Sequence, residues 1–201
     1  VNDPPVIAFD QESVTVDEGR TATNSGTVSD VDGDSLTLSA SIGVAVNNGS
    51  GIWSWSFDTT DGPSDSQSVT ITVDDENGGS IHKSFSLTVN NVLPTVDVGE
   101  DATINEGDTF TGSGSFADAG SDIWIATVDY GDGTGVQALT LTGKTFQLSH
   151  MYADNGVYTV TVSVMDDDGG LGSDTLGVTV ANVAPIVNAC SEQSINDGDY
   201  Q

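Results

Sequence analysis

Basic side chains are nearly missing from this chain. Among 201 residues only Arg20, Lys83 and Lys144 are set against 31 Asp and Glu, a formal net charge of −28. Phosphate backbones and anionic lipid headgroups are held by clustered Lys and Arg, so nucleic-acid binding and membrane-surface attachment are excluded. Cys190 is the single cysteine, which rules out an intrachain disulfide and with it a disulfide-stapled scaffold. No apolar run approaches the roughly 18 residues that a spanning helix needs, so no membrane insertion is expected. His82 and His150 are the only histidines, and there is no His/Cys cluster for zinc. No segment shows the 3.6-residue apolar period of an amphipathic helix.

What is present is alternation. Strongly acidic chains are often disordered, yet runs such as Val69-Thr70-Ile71-Thr72-Val73 and Tyr158-Thr159-Val160-Thr161-Val162 alternate apolar with small polar residues. That is the period of a half-buried strand, and the chain is read as folded. It is also repetitive. An Asn-x-x-Pro pattern recurs at Asn2, Asn91 and Asn182, a period of about 90 residues. About a dozen residues after each proline comes an acidic-Gly pair, Glu18-Gly19, Glu106-Gly107 and Asp197-Gly198. Residues 1–90 and 91–182 form two complete units, and 183–201 are the start of a third. The chain opens on Val1 without a leader-like stretch and is read as a monomeric fragment of a longer array.

Strands are expected near 12–16, 21–29, 35–46, 52–57, 67–74 and 80–90 in the first unit. In the second they are expected near 101–104, 108–115, 122–130, 135–142, 144–150, 156–164 and 170–180. Asn47-Asn48-Gly49-Ser50-Gly51 is a hairpin connection. Six or seven strands in about 90 residues is the size of an immunoglobulin-like sandwich. The expected fold is therefore all-β, two such sandwiches in tandem plus the first strands of a third. Val69, Ile71 and Val73 are the expected inward face of the penultimate strand in unit one, and Tyr158, Val160, Val162 and Val164 in unit two.

In unit two, Val128-Asp129-Tyr130-Gly131-Asp132-Gly133 resembles the Trp-Asp-Phe-Gly-Asp-Gly signature of PKD domains, with Val128 in place of Trp. The later segments His150-Met151-Tyr152 and Gly156-Val157-Tyr158-Thr159-Val160-Thr161-Val162 resemble the same family's second motif. The resemblance covers about residues 91–182 and implies a sandwich of cell-surface proteins and secreted hydrolases, used as a spacer or binding module. Unit one, with Asn2-Asp3-Pro4-Pro5 and Asp30-Val31-Asp32-Gly33-Asp34, resembles bacterial cadherin-like and Ig-like repeats. That resemblance implies calcium near domain junctions and an extracellular or cell-surface location.

The acidic residues fall into two loops per unit. One follows the second strand, with Asp30, Asp32 and Asp34 in unit one and Asp118 and Asp122 in unit two. The other precedes the last strand, with Asp74 and Asp75 in unit one and Asp166, Asp167 and Asp168 in unit two. In this topology both loops meet at the end where the linker enters, so Asn2 and Asp3, or Asn90 and Asn91, are expected beside them. Carboxylates packed within about 10 Å repel one another with incomplete screening. Calcium, taking 6–8 oxygen ligands in flexible geometry, is the cofactor that answers this, and magnesium fits less well. The alternative is that these are solvated turns shaped by Asp and Asn. Glu18 and Glu106, on turns facing the following unit, are further candidate ligands or simple turn residues. An EF-hand is excluded, because Ser35 and Ser41 stand where its Gly and bidentate Glu belong.

No nucleophile with a positioned base emerges, and a non-catalytic role is expected. Trp53, Trp55 and Phe57 share one strand face. They are either core or a platform for sugar rings, and core is preferred. The expected function is a calcium-binding structural or adhesive spacer whose partners are neighbouring repeats of the same chain and a cell-surface protein or polysaccharide. The alternative is a ligand-binding accessory module of a secreted hydrolase.

Overall fold

A computed structural model of the chain describes residues 1–188. Cys190 and the Asp197-Gly198 pair, with most of the expected third repeat, lie outside the described residues. No helix among the described residues is long and apolar enough to cross a membrane.

Unit one runs β1 (Val6–Phe9), β2 (Ser13–Asp17), β3 (Thr21–Ser29), β4 (Thr37–Ala40), β5 (Val44–Gly49), β6 (Ile52–Asp58), β7 (Gln67–Asp74) and β8 (Ser80–Asn90). These form two four-stranded sheets, ordered β1-β3-β6-β5 and β2-β8-β7-β4. The first strand is split. β1 pairs antiparallel with β3, then the chain crosses and β2 pairs parallel with β8. Unit two runs β9 (Thr95–Asp97), β10 (Ala102–Asn105), β11 (Thr109–Ala117), β12 (Ile125–Asp129), β13 (Gln137–Leu139), β14 (Leu141–Thr142), β15 (Thr145–Met151), β16 (Gly156–Met165) and β17 (Leu171–Ala181). Its sheets are β14-β15-β11-β9 and β10-β17-β16-β12-β13, with the same split opening strand.

Two expected strands are corrected. The run 35–46 is two strands on opposite sheets, β4 and β5, because the chain turns at Ser41–Gly43 with Gly43 at φ +72°. The run 135–142 divides between the sheets likewise, as β13 and β14. The short strands β1 and β9 were not anticipated, since three or four residues carry too little alternation to register.

Each unit has its own core. Val69, Ile71 and Val73 are fully buried, as are Val160, Val162 and Val164, while Tyr158 is half-buried at the end of its row. Trp53 and Trp55 lie inside unit one, their indole N–H groups donating to the Ala8 and Ile42 carbonyls at 3.0 and 2.7 Å. This satisfies the one polar atom each ring carries, and Phe57 packs against Trp55. The sugar-platform reading of these rings is thereby removed.

Candidate functional site

The PKD-like signature has a structural job. Asp129 and Asp132 accept backbone N–H groups from Gly131 and Thr134, which closes the turn. Asp132 also accepts from the Thr134 hydroxyl and lies 2.7 Å from His150 Nε2. The Thr134 hydroxyl bond and the His150 contact outweigh burial and hold Asp132 down at about 2. His150 stacks on Tyr130, and the buried Tyr152 hydroxyl donates to the Tyr130 carbonyl. His82 is exposed on β8. Neither histidine belongs to the acidic groupings described below.

Both acidic ends are built on one scaffold. In the loop between β16 and β17, Asp166 N donates to the Gly170 carbonyl, and Gly170 N donates back to Asp166 Oδ1. Asn91 Nδ2 reaches Asp166 Oδ2 at 3.0 Å, tying the linker to the loop. In unit one the same bonds join Asp75 with Gly79 and with Asn2, whose Nδ2 donates to Asp75 Oδ2 at 2.8 Å. Gly79 and Gly170 are required there, because a Cβ would run into the Asp75 or Asp166 carboxylate. Burial works to raise the Asp75 carboxyl, but the Asn2 amide and the loop N–H groups leave it below the ordinary range.

The two ends differ in what covers them. Over unit two lies the far end of unit one. Glu18 is fully buried in the turn after β2, where its Oε1 accepts Val92 N and its Oε2 accepts Gly62 N, both at 2.8 Å. Gly19, at φ +69°, lies against the Ala119 backbone of unit two, and Ser121 N donates to the Thr60 carbonyl. Asp61, in the loop between β6 and β7, completes the cover. Oxygens of Glu18, Asp61 and Asp122 lie within 4.8 Å of one another, and so do those of Asp122, Asp167 and Asp168.

That pocket of carboxylates is unbalanced. Asp122 is 7% exposed, and neither of its oxygens has a hydrogen-bond partner. Asp61 Oδ1, Asn91 Oδ1 and Asp118 Oδ1 are likewise buried and unpartnered. Burial first, then the charges of Glu18, Asp118, Asp166 and Asp167, push Asp122 up to about 6. Asp168 is also raised, by burial and then by the charge of Asp61. Lys144 donates to the Asp118 carbonyl and covers the Trp124 ring. Buried charges without partners are costly, and a cluster of free oxygens from carboxylates and one amide is the donor set of a hard cation such as calcium.

The expected ligands are therefore distributed unevenly. Asn91, Asp118, Asp122, Asp166, Asp167 and Asp168 come together at the junction, Asn91 and Asp166 partly engaged with each other. Asn90 does not join them, as its amide is turned to Asp17 on the outside. In unit one, Asp30, Asp34 and Asp75 converge, with Asp30 Oδ2 unpartnered. Asp32 is exposed and accepts from Asp3 N, and Asp74 is exposed and accepts from Glu76 N in its own turn. Asp61 was missed, and nothing in its local sequence, Thr60-Asp61-Gly62-Pro63, marks it. Only the backbone register reveals its counterpart. Gly19 N bonds the Thr59 carbonyl and Gly107 N bonds the Tyr152 carbonyl, so Asp154 stands in unit two where Asp61 stands in unit one. Glu106 matches Glu18 in the same way, accepting Val183 N at 2.8 Å.

Comparison with known proteins agrees with this architecture. Residues 91–180 match the PKD domain family, and residues 2–89 match a bacterial Ig domain family. The chain is a bacterial Ig domain followed by a PKD domain. No curated protein sequence matches it. Among solved structures it is similar to the titin domains z1z2 in complex with telethonin, at 17% identity and a TM-score of 0.51, covering 92% of this chain and 100% of that one. Immunoglobulin domains 1–5 of Sidekick-1 align at 15% identity and a TM-score of 0.41, covering 90% of this chain and 40% of that one. The titin likeness is one of fold: tandem immunoglobulin-like sandwiches.

Proposed function

We propose that the chain is a calcium-stiffened, non-catalytic spacer within a larger extracellular or cell-surface repeat protein. The observation that carries this is Asp122, buried with both oxygens unpartnered between Glu18 and Asp61 of one domain and Asp118 and Asp166–Asp168 of the next. A calcium ion held by Asp122, Glu18 and Asp61, with Asp118 and Asn91 beside them, relieves the repulsion and clamps two domains by bonds from both. Its work is mechanical. Without the ion the same carboxylates push the domains apart and the linker hinges. The supporting context is the tandem Ig and PKD architecture, in which neighbouring repeats are the first partners. Surface adhesion to protein or polysaccharide is the wider role. The accessory-module alternative loses its aromatic platform, since Trp53 and Trp55 are core.

Thermal melting in excess EDTA and in millimolar calcium tests the reading. A ligand that binds only the folded state adds about 2.7 kcal/mol at a hundredfold excess over its dissociation constant. A clear rise of the midpoint with calcium, and none with the same concentration of sodium, is expected. Identical melts would contradict it.

A further inference from the structure

The junction holds more free oxygen than one cation uses in a single grouping, and the groupings overlap. Glu18, Asp61 and Asp122 form one set of mutually close oxygens, and Asp122, Asp167 and Asp168 form a second, with Asp122 common to both. Asp122 is suited to sharing. It is more than nine-tenths buried, and its two oxygens are both free, so each can serve a different ion. The two sets meet at Asp122, between oxygens of the preceding domain and oxygens of the PKD domain.

Charge points the same way. Glu18, Asp61, Asp118, Asp122, Asp166, Asp167 and Asp168 surround the site, against which Lys144 donates to the Asp118 carbonyl. One divalent ion leaves most of that charge uncompensated, and a second removes much of the remainder.

We infer that the junction binds a pair of calcium ions bridged by Asp122: an inter-domain ion on Glu18 and Asp61, and a second on Asp167 and Asp168 of the PKD domain. This rests on the calcium reading above and extends it. The two ions have different tasks. The second closes the PKD domain's own loop, whose Asp167 Oδ1 already accepts Ile123 N. The first exists only when the preceding domain is in place, because Glu18 and Asp61 come from it. Filling the loop ion fixes Asp122, and the inter-domain ion then binds a prepared site, so the two bind with positive coupling.

Native mass spectrometry and calorimetric titration with calcium alone test this on the full chain. An Asp30→Asn/Asp34→Asn background removes the separate acidic group at the N-terminal end. In that background two calcium ions are expected. Asp168→Asn, an exposed position, should leave one ion and weaken it by about tenfold or more. Asp61→Asn should likewise leave one, and Asp122→Asn none. Circular dichroism and melting in EDTA verify that each variant is folded. One ion in the background, with any of the three variants retaining one or losing it, overturns the pair while leaving the calcium spacer intact. No calcium in the background overturns both readings.

Discussion

The N-terminal end of the Ig domain and the N-terminal end of the PKD domain carry one design in two states of coverage. Each ties a linker Asn to a loop Asp, Asn2 to Asp75 and Asn91 to Asp166, and each closes that loop with a glycine. Each places two further aspartates four residues apart, Asp30 and Asp34 in one and Asp118 and Asp122 in the other. At the first end Asp34 is half-buried, and an open polar groove of about 510 Å³ lies alongside Asp30 and Asp34. At the second, Glu18 and Asp61 close over Asp122 and bury it. At the first end only Asp75 and one Asp30 oxygen are shut from water, whereas the neighbouring domain encloses the carboxylates of the second. The partner domain makes the larger difference, and the loop adds to it, with Asp167 and Asp168 where unit one has Glu76 and Asn77.

The sharpest way to break that comparison is at Glu18. Glu18→Ala leaves Gly62 and Val92 N–H groups without their acceptor, each costing about 1–3 kcal/mol. Melting in millimolar calcium should show a loss of about 2–6 kcal/mol in all. Glu106→Ala, at the matching position but half-exposed and serving Val183 alone, should cost below about 0.5–1 kcal/mol because water replaces the acceptor. Equal losses would mean that coverage does not matter.

A second contrast pairs Asp61 with Asp154. Asp61→Asn should remove the share of the calcium-induced stabilisation that the inter-domain ion supplies, about 2.7 kcal/mol at a hundredfold excess over its dissociation constant, while Asp154→Asn, exposed in unit two, should leave it unchanged. Differential scanning calorimetry at matched calcium reads both.

Smaller effects are expected from Asp122 and Asp34 in EDTA. Asp122→Asn removes a buried, repelled charge and should raise the calcium-free midpoint by about 4–8 °C, the equivalent of about 1 kcal/mol in a domain of this size. Asp34→Asn should shift it little. In calcium the order reverses, because Asp122→Asn also deletes a ligand.

Asp132 supplies the control within the PKD domain, a carboxylate that the protein already satisfies. Its folded pKa of about 2 lies below the ordinary 3.8, so its stabilising contribution is complete above pH 4 and is lost as pH falls towards 2. Asp132→Asn should flatten that part of the acid melting curve, equally with and without calcium. A calcium-dependent difference would place Asp132 in the metal site.

Much of this was legible in the residues. The 90-residue period, the alternating strands, the core faces at Val69–Val73 and Val160–Val164, and the PKD motifs all rest on local pattern, which a sandwich preserves. The convergence of Asn91, Asp118, Asp122 and Asp166 followed from topology, because loops at one end of a sandwich meet. The junction was legible only in part. Glu18 stands in the sequence as either a candidate ligand facing the following unit or a simple turn residue, and the cover over unit two brings it beside Asp122. Asp61 has no motif, and its role comes from a domain contact that spans Thr60 to Ser121. The splitting of 35–46 into β4 and β5 was hidden for a related reason, since a change of sheet is decided by packing and not by the run of apolar residues.

Small-angle X-ray scattering of the chain in EDTA and in millimolar calcium tests the central claim most directly. The account predicts a single extended, narrow distance distribution with calcium and a broader, hinge-averaged one in EDTA, with Asp61→Asn resembling the EDTA state under both conditions. Superimposable profiles for the wild-type chain, with and without calcium, would contradict it.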